Sequence, residues 1–118
     1  RMVYLLTADD MAAIMLLRYQ DFLYYAYGGS DPEFREMMAP NLLHWEAIKL
    51  GKKLGCKVYD LWGSYKDKPE ESDPWWGIYR FKKGFGGEEI TFPPTVDIPL
   101  SPLYSLYLLA EKIRWLMK

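Results

Sequence analysis

The pattern that most limits how this chain can fold is three short apolar runs with tight breaks, followed by one amphipathic helix and one further strand-like run. Met2-Val3-Tyr4-Leu5-Leu6-Thr7 is rich in strand formers and stops at Asp9-Asp10, a turn signal. Ala13 to Tyr19 is the second run. Gln20-Asp21 breaks it, and Phe22 to Tyr27 is the third. Short runs with such breaks predict an antiparallel meander. Met11 to Arg18 has helix propensity as well, but the near-regular spacing of the breaks favours strands.

Gly28-Gly29-Ser30-Asp31-Pro32 reads as a loop. Pro40 suits a first helical turn, and a helix is expected from about Asn41 to Leu54. Leu43, Ala47, Leu50 and Leu54 make its apolar stripe. Lys52 and Lys53 favour the last turn, and Gly55 is a natural residue just past the end. Cys56 to Trp62 reads as a strand ended by Gly63. Strand, crossover helix, strand implies a parallel pair with a right-handed connection, so segments 22–27 and 57–62 should be parallel neighbours. Residues 64–74 read as a polar, mobile loop, Trp75 to Phe85 as a short helix or turn, and Glu88 to Phe92 as a strand closed by Pro93-Pro94. Ser101-Pro102 opens a final helix to about Met117, with Leu103, Leu106, Tyr107, Ala110, Ile113 and Met117 on one face.

Composition narrows the function classes. The chain has 118 residues, 50% apolar and 26% charged, which is a globular balance and the size of one domain or a piece of one. Tyr, Trp and Phe number 10, 5 and 5, enough aromatic surface to fill a core or a recognition surface. A net charge of −1 gives no global field for nucleic acid, so any RNA contact must be local. Cys56 is the one cysteine and His44 the one histidine, which argues against an intrachain disulfide, a zinc-type site and a Cys–His dyad. No uncharged run approaches the roughly 20 apolar residues of a membrane span, and a reducing cytoplasm is expected. The chain opens at Arg1-Met2 and falls directly into a strand-like run, as a piece of a longer protein would.

Three strings carry a resemblance: Ala39-Pro40-Asn41-Leu42-Leu43-His44-Trp45-Glu46-Ala47-Ile48, then Gly55-Cys56-Lys57-Val58-Tyr59-Asp60-Leu61-Trp62-Gly63, then Gly77-Ile78-Tyr79-Arg80-Phe81-Lys82-Lys83-Gly84-Phe85-Gly86-Gly87-Glu88-Glu89. In this order, with a closing amphipathic helix, they resemble the Fem family of peptidoglycan aminoacyltransferases over nearly the whole chain. The resemblance implies an α+β, GNAT-like fold: a mixed, mostly antiparallel sheet with one parallel pair and a crossover helix. It implies the later part of the second of two such domains, hence an incomplete domain. It further implies transfer of an amino acid from the 3′ end of aminoacyl-tRNA to the stem-peptide amine of a lipid-linked or nucleotide-linked precursor. No cofactor is implied. The expected location is the cytoplasm, with peripheral association at the inner face of the membrane. An isolated piece is expected to be inactive and to self-associate through its uncovered edge.

The family uses a Phe-Lys pair near the acyl donor, which puts Phe81 and Lys82 forward as the catalytic element. A positioned ammonium can stabilise the oxyanion formed when an amine attacks an ester. Lys83 competes for that role, since neighbours on a strand point to opposite faces; Arg80, Lys82 and Lys83 could equally form a solvated basic face. Tyr79, Arg80, Lys83, Gly84, Asp60 and Trp62 are the candidate substrate-binding residues. Asp60 either orients an amine or caps the strand end, and Gly84, Gly86 and Gly87 either serve the site's backbone or make a tight turn. His44 lies off the apolar stripe and reads as a surface or interface residue. Trp75-Trp76 either stack on bases or pack under the loop. Ser30 to Met38 holds Asp31, Glu33 and Glu36 and no Arg-x-x-Gly-x-Gly pattern, which disfavours coenzyme A pyrophosphate. The alternatives are a GNAT-like acyltransferase with another donor, or an inert interaction module.

Overall fold

The structure is a computed structural model, and it describes residues 2–63, 70–101 and 103–116. The chain divides into two units, Arg1–Gly87 and Glu88–Lys118. The first holds strands β1 (Val3–Ala8), β2 (Ala12–Tyr19), β3 (Phe22–Ser30) and β4 (Val58–Asp60) and helices α1 (Ala39–Lys53) and α2 (Trp76–Lys83), with a 3₁₀ helix at Pro32–Met37. The sheet order is β1-β2-β3-β4. The first three strands pair antiparallel, and β3 pairs parallel with β4 through Phe22↔Val58, Leu23↔Tyr59 and Tyr24↔Asp60. This is the α+β, mixed-sheet arrangement expected of a GNAT-like fold, with α1 as the crossover.

The meander follows from its breaks. Asp9 and Gln20 take positive φ of 44° and 51°, which lets each turn close in a few residues. The helix propensity of β2 loses to pairing on both sides. Its alternate residues Ala12, Ile14 and Leu16 are buried, and with Leu23 of β3 they form the core under Ala39, Leu43 and Ala47 of α1. Between Met15 and Leu16 the register with β3 shifts, leaving Ala26 as an extra residue in β3.

The end of α1 is the sharpest stop in the chain. The Cys56 N–H reaches the Gly51 carbonyl at 2.9 Å, and the Gly55 N–H reaches Lys52 at 3.1 Å. Gly55 has φ of +76°. These are the two bonds and the left-handed residue of a Schellman motif. The Lys57 and Val58 N–H groups then both meet the Asp21 carbonyl, at 2.7 and 3.2 Å, which starts the β3–β4 register.

Five readings of the sequence are corrected. Residues 28–30 continue β3 instead of forming a loop, because Ala12, Ala13 and Ile14 offer them ladder partners. β4 is shorter than 56–62, since Cys56 is committed to the helix stop and Trp62 turns to φ of +62°. The buried line of α1 runs through Ala39, Leu43, His44, Ala47 and Gly51, so Leu50 and Leu54 lie at its flank and His44 is inside. Phe81-Lys82-Lys83 lies on helix α2, where neighbours stand about 100° apart and not on opposite faces. Glu88 to Phe92 forms no strand; it pairs with no strand among the described residues, and Ile90 and Phe92 are exposed. Part of the expected polar loop, 64–69, lies outside the described residues.

The second unit holds α3 (Leu103–Leu116). Ser101 caps it: its hydroxyl accepts from the Leu103 N–H at 3.2 Å. Leu103, Leu106, Tyr107 and Ile113 are exposed. No helix among the described residues is long and apolar enough to cross a membrane.

Replacing Gly55 with Ala puts a Cβ on a residue held at positive φ. We expect the chain to lose about 1–2 kcal/mol of stability, read as a lower urea midpoint with an unchanged slope. An unchanged midpoint would contradict the Schellman stop.

Candidate functional site

Four elements converge on one imidazole. His44, on α1, is 1% exposed. Its Nδ1 lies 2.7 Å from the Tyr59 hydroxyl on β4. The Tyr25 ring of β3 stands edge-on to it at 4.5 Å, and Phe81 of α2 does the same at 5.3 Å. Phe85, one helical turn beyond Phe81, lies 5.3 Å away and meets Phe81 edge-to-face. Each geometry falls in the favourable range for aromatic pairs. The placement has simple causes. Tyr25 shares the helix-covered face of β3 with Leu23, two residues earlier. Phe81 is on α2 and Phe85 in the turn just past its C-cap, where the Phe85 N–H donates to the Lys82 carbonyl at 3.1 Å, and the two rings meet each other as well as His44.

Lys82 sits beside this cluster and is half-buried. Its Nζ donates to the Gly63 carbonyl and lies 5.7 Å from the centroid of the Tyr25 ring, a cation–π distance. The segment that presents Gly63 is constrained. Asp60 Oδ1 accepts from the Trp62 N–H at 2.7 Å, and Trp62 occupies the left-handed region, uncommon for a bulky residue. Such backbone costs on the order of 1–3 kcal/mol and persists only where neighbours hold it.

Titration follows burial. His44 is lowered to about 4, first by burial and second by the charge of Lys82, so it is neutral at pH 7. Burial raises the phenols of Tyr25 and Tyr59, with the Tyr25 charge adding to the effect on Tyr59. Burial lowers Lys82, while the Asp60 carboxylate pulls it the other way. The result is a partly desolvated ammonium beside a neutral aromatic box, with a carboxylate within its field. Lower effective dielectric makes such a charge act more strongly on a developing anion.

The sequence-derived candidates separate into two groups. Lys82, Phe81 and Asp60 come together here. Tyr79 instead lies against Trp76, with ring centroids 5.7 Å apart. That contact places Trp76 in packing with its own helix. Arg80 and Lys83 are exposed on α2. Gly84 is the C-cap of α2 with an ordinary φ of −60°; Gly86, at φ of +72°, is the glycine the turn requires. Trp62 is 60% exposed and meets Tyr24 edge-on at 5.8 Å. Tyr24 alternates with Tyr25 along β3, so that contact lies toward the other sheet face. Sequence reasoning missed His44, Tyr25, Tyr59 and Gly63 as parts of one cluster. His44 directly follows Leu43 of the apolar stripe, and a stripe rotated by one position would have included it.

Comparison with known proteins gives a consistent picture. The family model of the FemAB family matches residues 7–112. The aminoacyltransferase FemB of Staphylococcus epidermidis is 36% identical over 61 residues, covering 52% of this chain and 14% of that protein. The lipid II:glycine glycyltransferase of Staphylococcus haemolyticus is 29% identical over 63 residues, covering 53% of this chain and 15% of that protein. The crystal structure of FemX superposes with a TM-score of 0.57 at 26% identity, covering 64% of this chain and 19% of FemX. The chain thus spans a small part of the length of the relatives it matches. The family match takes in nearly all of the sheet, α1 and the whole His44–Lys82 cluster, and on that extent the chain belongs to the FemAB family.

Proposed function

We propose that this chain is the later part of the second GNAT-like domain of an aminoacyltransferase. In this reading the enzyme moves an amino acid from the 3′ end of aminoacyl-tRNA to the stem-peptide amine of a lipid-linked or nucleotide-linked peptidoglycan precursor. It works in the cytoplasm, with peripheral association at the inner face of the membrane. The observation that carries the reading is the half-buried Lys82 ammonium inside a chain of FemAB membership. Relatives named as an aminoacyltransferase and a lipid II:glycine glycyltransferase support the reaction class.

The step is aminoacyl transfer. The acceptor amine attacks the ester carbonyl carbon, a C–N bond forms, and the carbonyl oxygen becomes an oxyanion. The ester C–O bond to ribose then breaks, and the amine's proton ends on the ribose oxygen. Lys82 gives up its Gly63 carbonyl for the oxyanion, and Phe81 holds the helix that carries it. In this reading the Asp60 carboxylate opposes the loss of the Lys82 charge and orients the incoming amine. Tyr79, Arg80, Lys83, Gly84 and Trp62 border the substrates in this reading.

The donor is supported by the segment before α1. Asp31, Glu33 and Glu36 are exposed there, and Asp31 Oδ1 already accepts from the Glu33 N–H at 2.9 Å. α1 begins with no side-chain cap and with Pro40 in its first turn, where an N–H is missing. Three carboxylates at that end repel a pyrophosphate, which disfavours coenzyme A as the donor.

By itself this piece is inactive in our reading, and it self-associates. Met2, Val3, Leu5 and Trp62 are exposed apolar residues on or beside the sheet, and covering such surface is favourable. Light scattering at high micromolar concentration is expected to show dimers or larger species; a strict monomer would remove this part of the reading.

In the complete enzyme with saturating charged tRNA, Lys82→Met is expected to lower kcat about a hundredfold, the equivalent of about 3 kcal/mol. Precursor binding should change little, because the oxyanion exists only along the reaction path. Lys83→Met should be much milder. Equal turnover of wild type and Lys82→Met would reject the assignment, and a larger loss for Lys83→Met would move it by one residue.

A further inference from the structure

Nothing in the proposed step uses the buried histidine, yet its ring is held from β3, β4 and α2. A buried imidazole is costly unless its polar atoms are satisfied. A phenyl or alkyl side chain would fill the same core position without that cost. Here Tyr59 satisfies Nδ1, and Tyr25 of β3, Phe81 of α2 and Phe85 just past the α2 C-cap close around the ring. We propose that His44 is a positioning residue for Lys82: its neutral, Tyr59-locked ring is the seat for Phe81 and Phe85 that fixes where the Lys82 ammonium lies. The inference rests on the assignment of Lys82 above and extends it to a residue that does not itself touch substrate.

The geometry makes the connection in two ways. α2 has 8 residues, and none is buried. A helix that short does not hold its place unaided. Phe81 on the helix and Phe85 just past its C-cap both make ring contacts to α1, and both end on His44. Lys82 directly follows Phe81, so the seat of Phe81 sets the origin of the Lys82 side chain. At its far end, Lys82 lies over Tyr25, the ring that packs against His44 at 4.5 Å. His44 therefore touches the residue before Lys82 in sequence and the ring beneath its ammonium. Among the described residues, the titratable groups facing His44 are Tyr25 from β3, Tyr59 from β4 and Lys82 from α2, with Asp60 acting on Lys82 from the end of β4. Burial and the Lys82 charge both disfavour the imidazolium, which suits a ring that seats phenyl groups rather than one that exchanges protons.

The two halves of the seat can be removed separately. His44→Asn keeps a polar group near Nδ1 and deletes the ring. Tyr59→Phe keeps the ring and deletes the bond that fixes it. In the complete enzyme with both substrates saturating, His44→Asn is expected to lower kcat by about tenfold or more with KM changed less than about twofold. In a Lys82→Met background the same substitution should cost less than about twofold, because residues acting as one unit are not additive. Tyr59→Phe should show the same dependence on Lys82 with a smaller loss, and it covers the case in which His44→Asn does not fold. Losses that multiply in the double variants would overturn the proposal.

A second measurement does not depend on activity. Titration of Lys82 followed at its ¹³Cε should lie below the ordinary lysine value in the wild type and move up toward it in His44→Asn and Tyr59→Phe. Identical Lys82 titration in all three would overturn the positioning role even where Lys82→Met proves damaging. If Lys82→Met is silent but the titration moves as expected, the positioning stands and the catalytic reading of Lys82 fails.

Discussion

The contact between His44 Nδ1 and the Tyr59 hydroxyl, 2.7 Å long, is the one on which the site depends. It ties the crossover helix to the strand that the helix delivers, at a point where the imidazole is buried and the phenol half-buried. A polar pair inside a small core is expensive to leave half-made and strong when made. Because Tyr59 lies opposite Leu23 in the parallel ladder, the same bond also carries the β3–β4 register into the position of the imidazole. Tyr25, two residues along β3, then packs on that imidazole.

From this point the rest of the site is a matter of reach. α1 approaches the sheet closely because Ala39, Ala47 and Gly51 line its buried side. A Cβ on Gly51 would stand 3.4 Å from the Leu23 side chain, so larger residues would push the helix and His44 outward. On the other flank, β4 ends at once in the Asp60–Trp62 turn, whose left-handed residue carries the chain to Gly63. Lys82 spans the space between: its backbone is set by Phe81 on His44, and its ammonium by the Gly63 carbonyl and the Tyr25 face. Strain at Trp62 and desolvation at Lys82 are local costs. They occur beside the cluster where β3, β4, α1 and α2 meet.

Much of this was legible in the sequence. The three apolar runs with their polar breaks, and Gly55 after two lysines, were sufficient to derive the meander, the crossover and the parallel pair. The family resemblance added the Phe81-Lys82 element. What could not be read had tertiary causes. The strand through Gly28, Gly29 and Ser30 exists because β2 supplies partners, not because of its own composition. His44 was misplaced because a stripe of leucines at 43, 50 and 54 pulls the inferred helix face toward Leu50 and Leu54. The sheet instead selects the small side chains, turning α1 toward 44 and 51. The segment after Gly87 has strand-like residues, but a strand needs a partner, and local sequence cannot announce that none of the described strands pairs with it.

The central claim is that Lys82 acts on charge that exists only in the tetrahedral intermediate. The most direct measurement compares two stable mimics of the aminoacyl-tRNA 3′ end in the complete enzyme: a planar amide, standing for the ground state, and an anionic tetrahedral phosphonate, standing for the oxyanion. Lys82→Met is expected to weaken the phosphonate by about a hundredfold and to leave amide binding within about twofold, since only the phosphonate presents the charge that the ammonium is placed to meet. Equal losses for both mimics, or no loss for the phosphonate, would contradict the account.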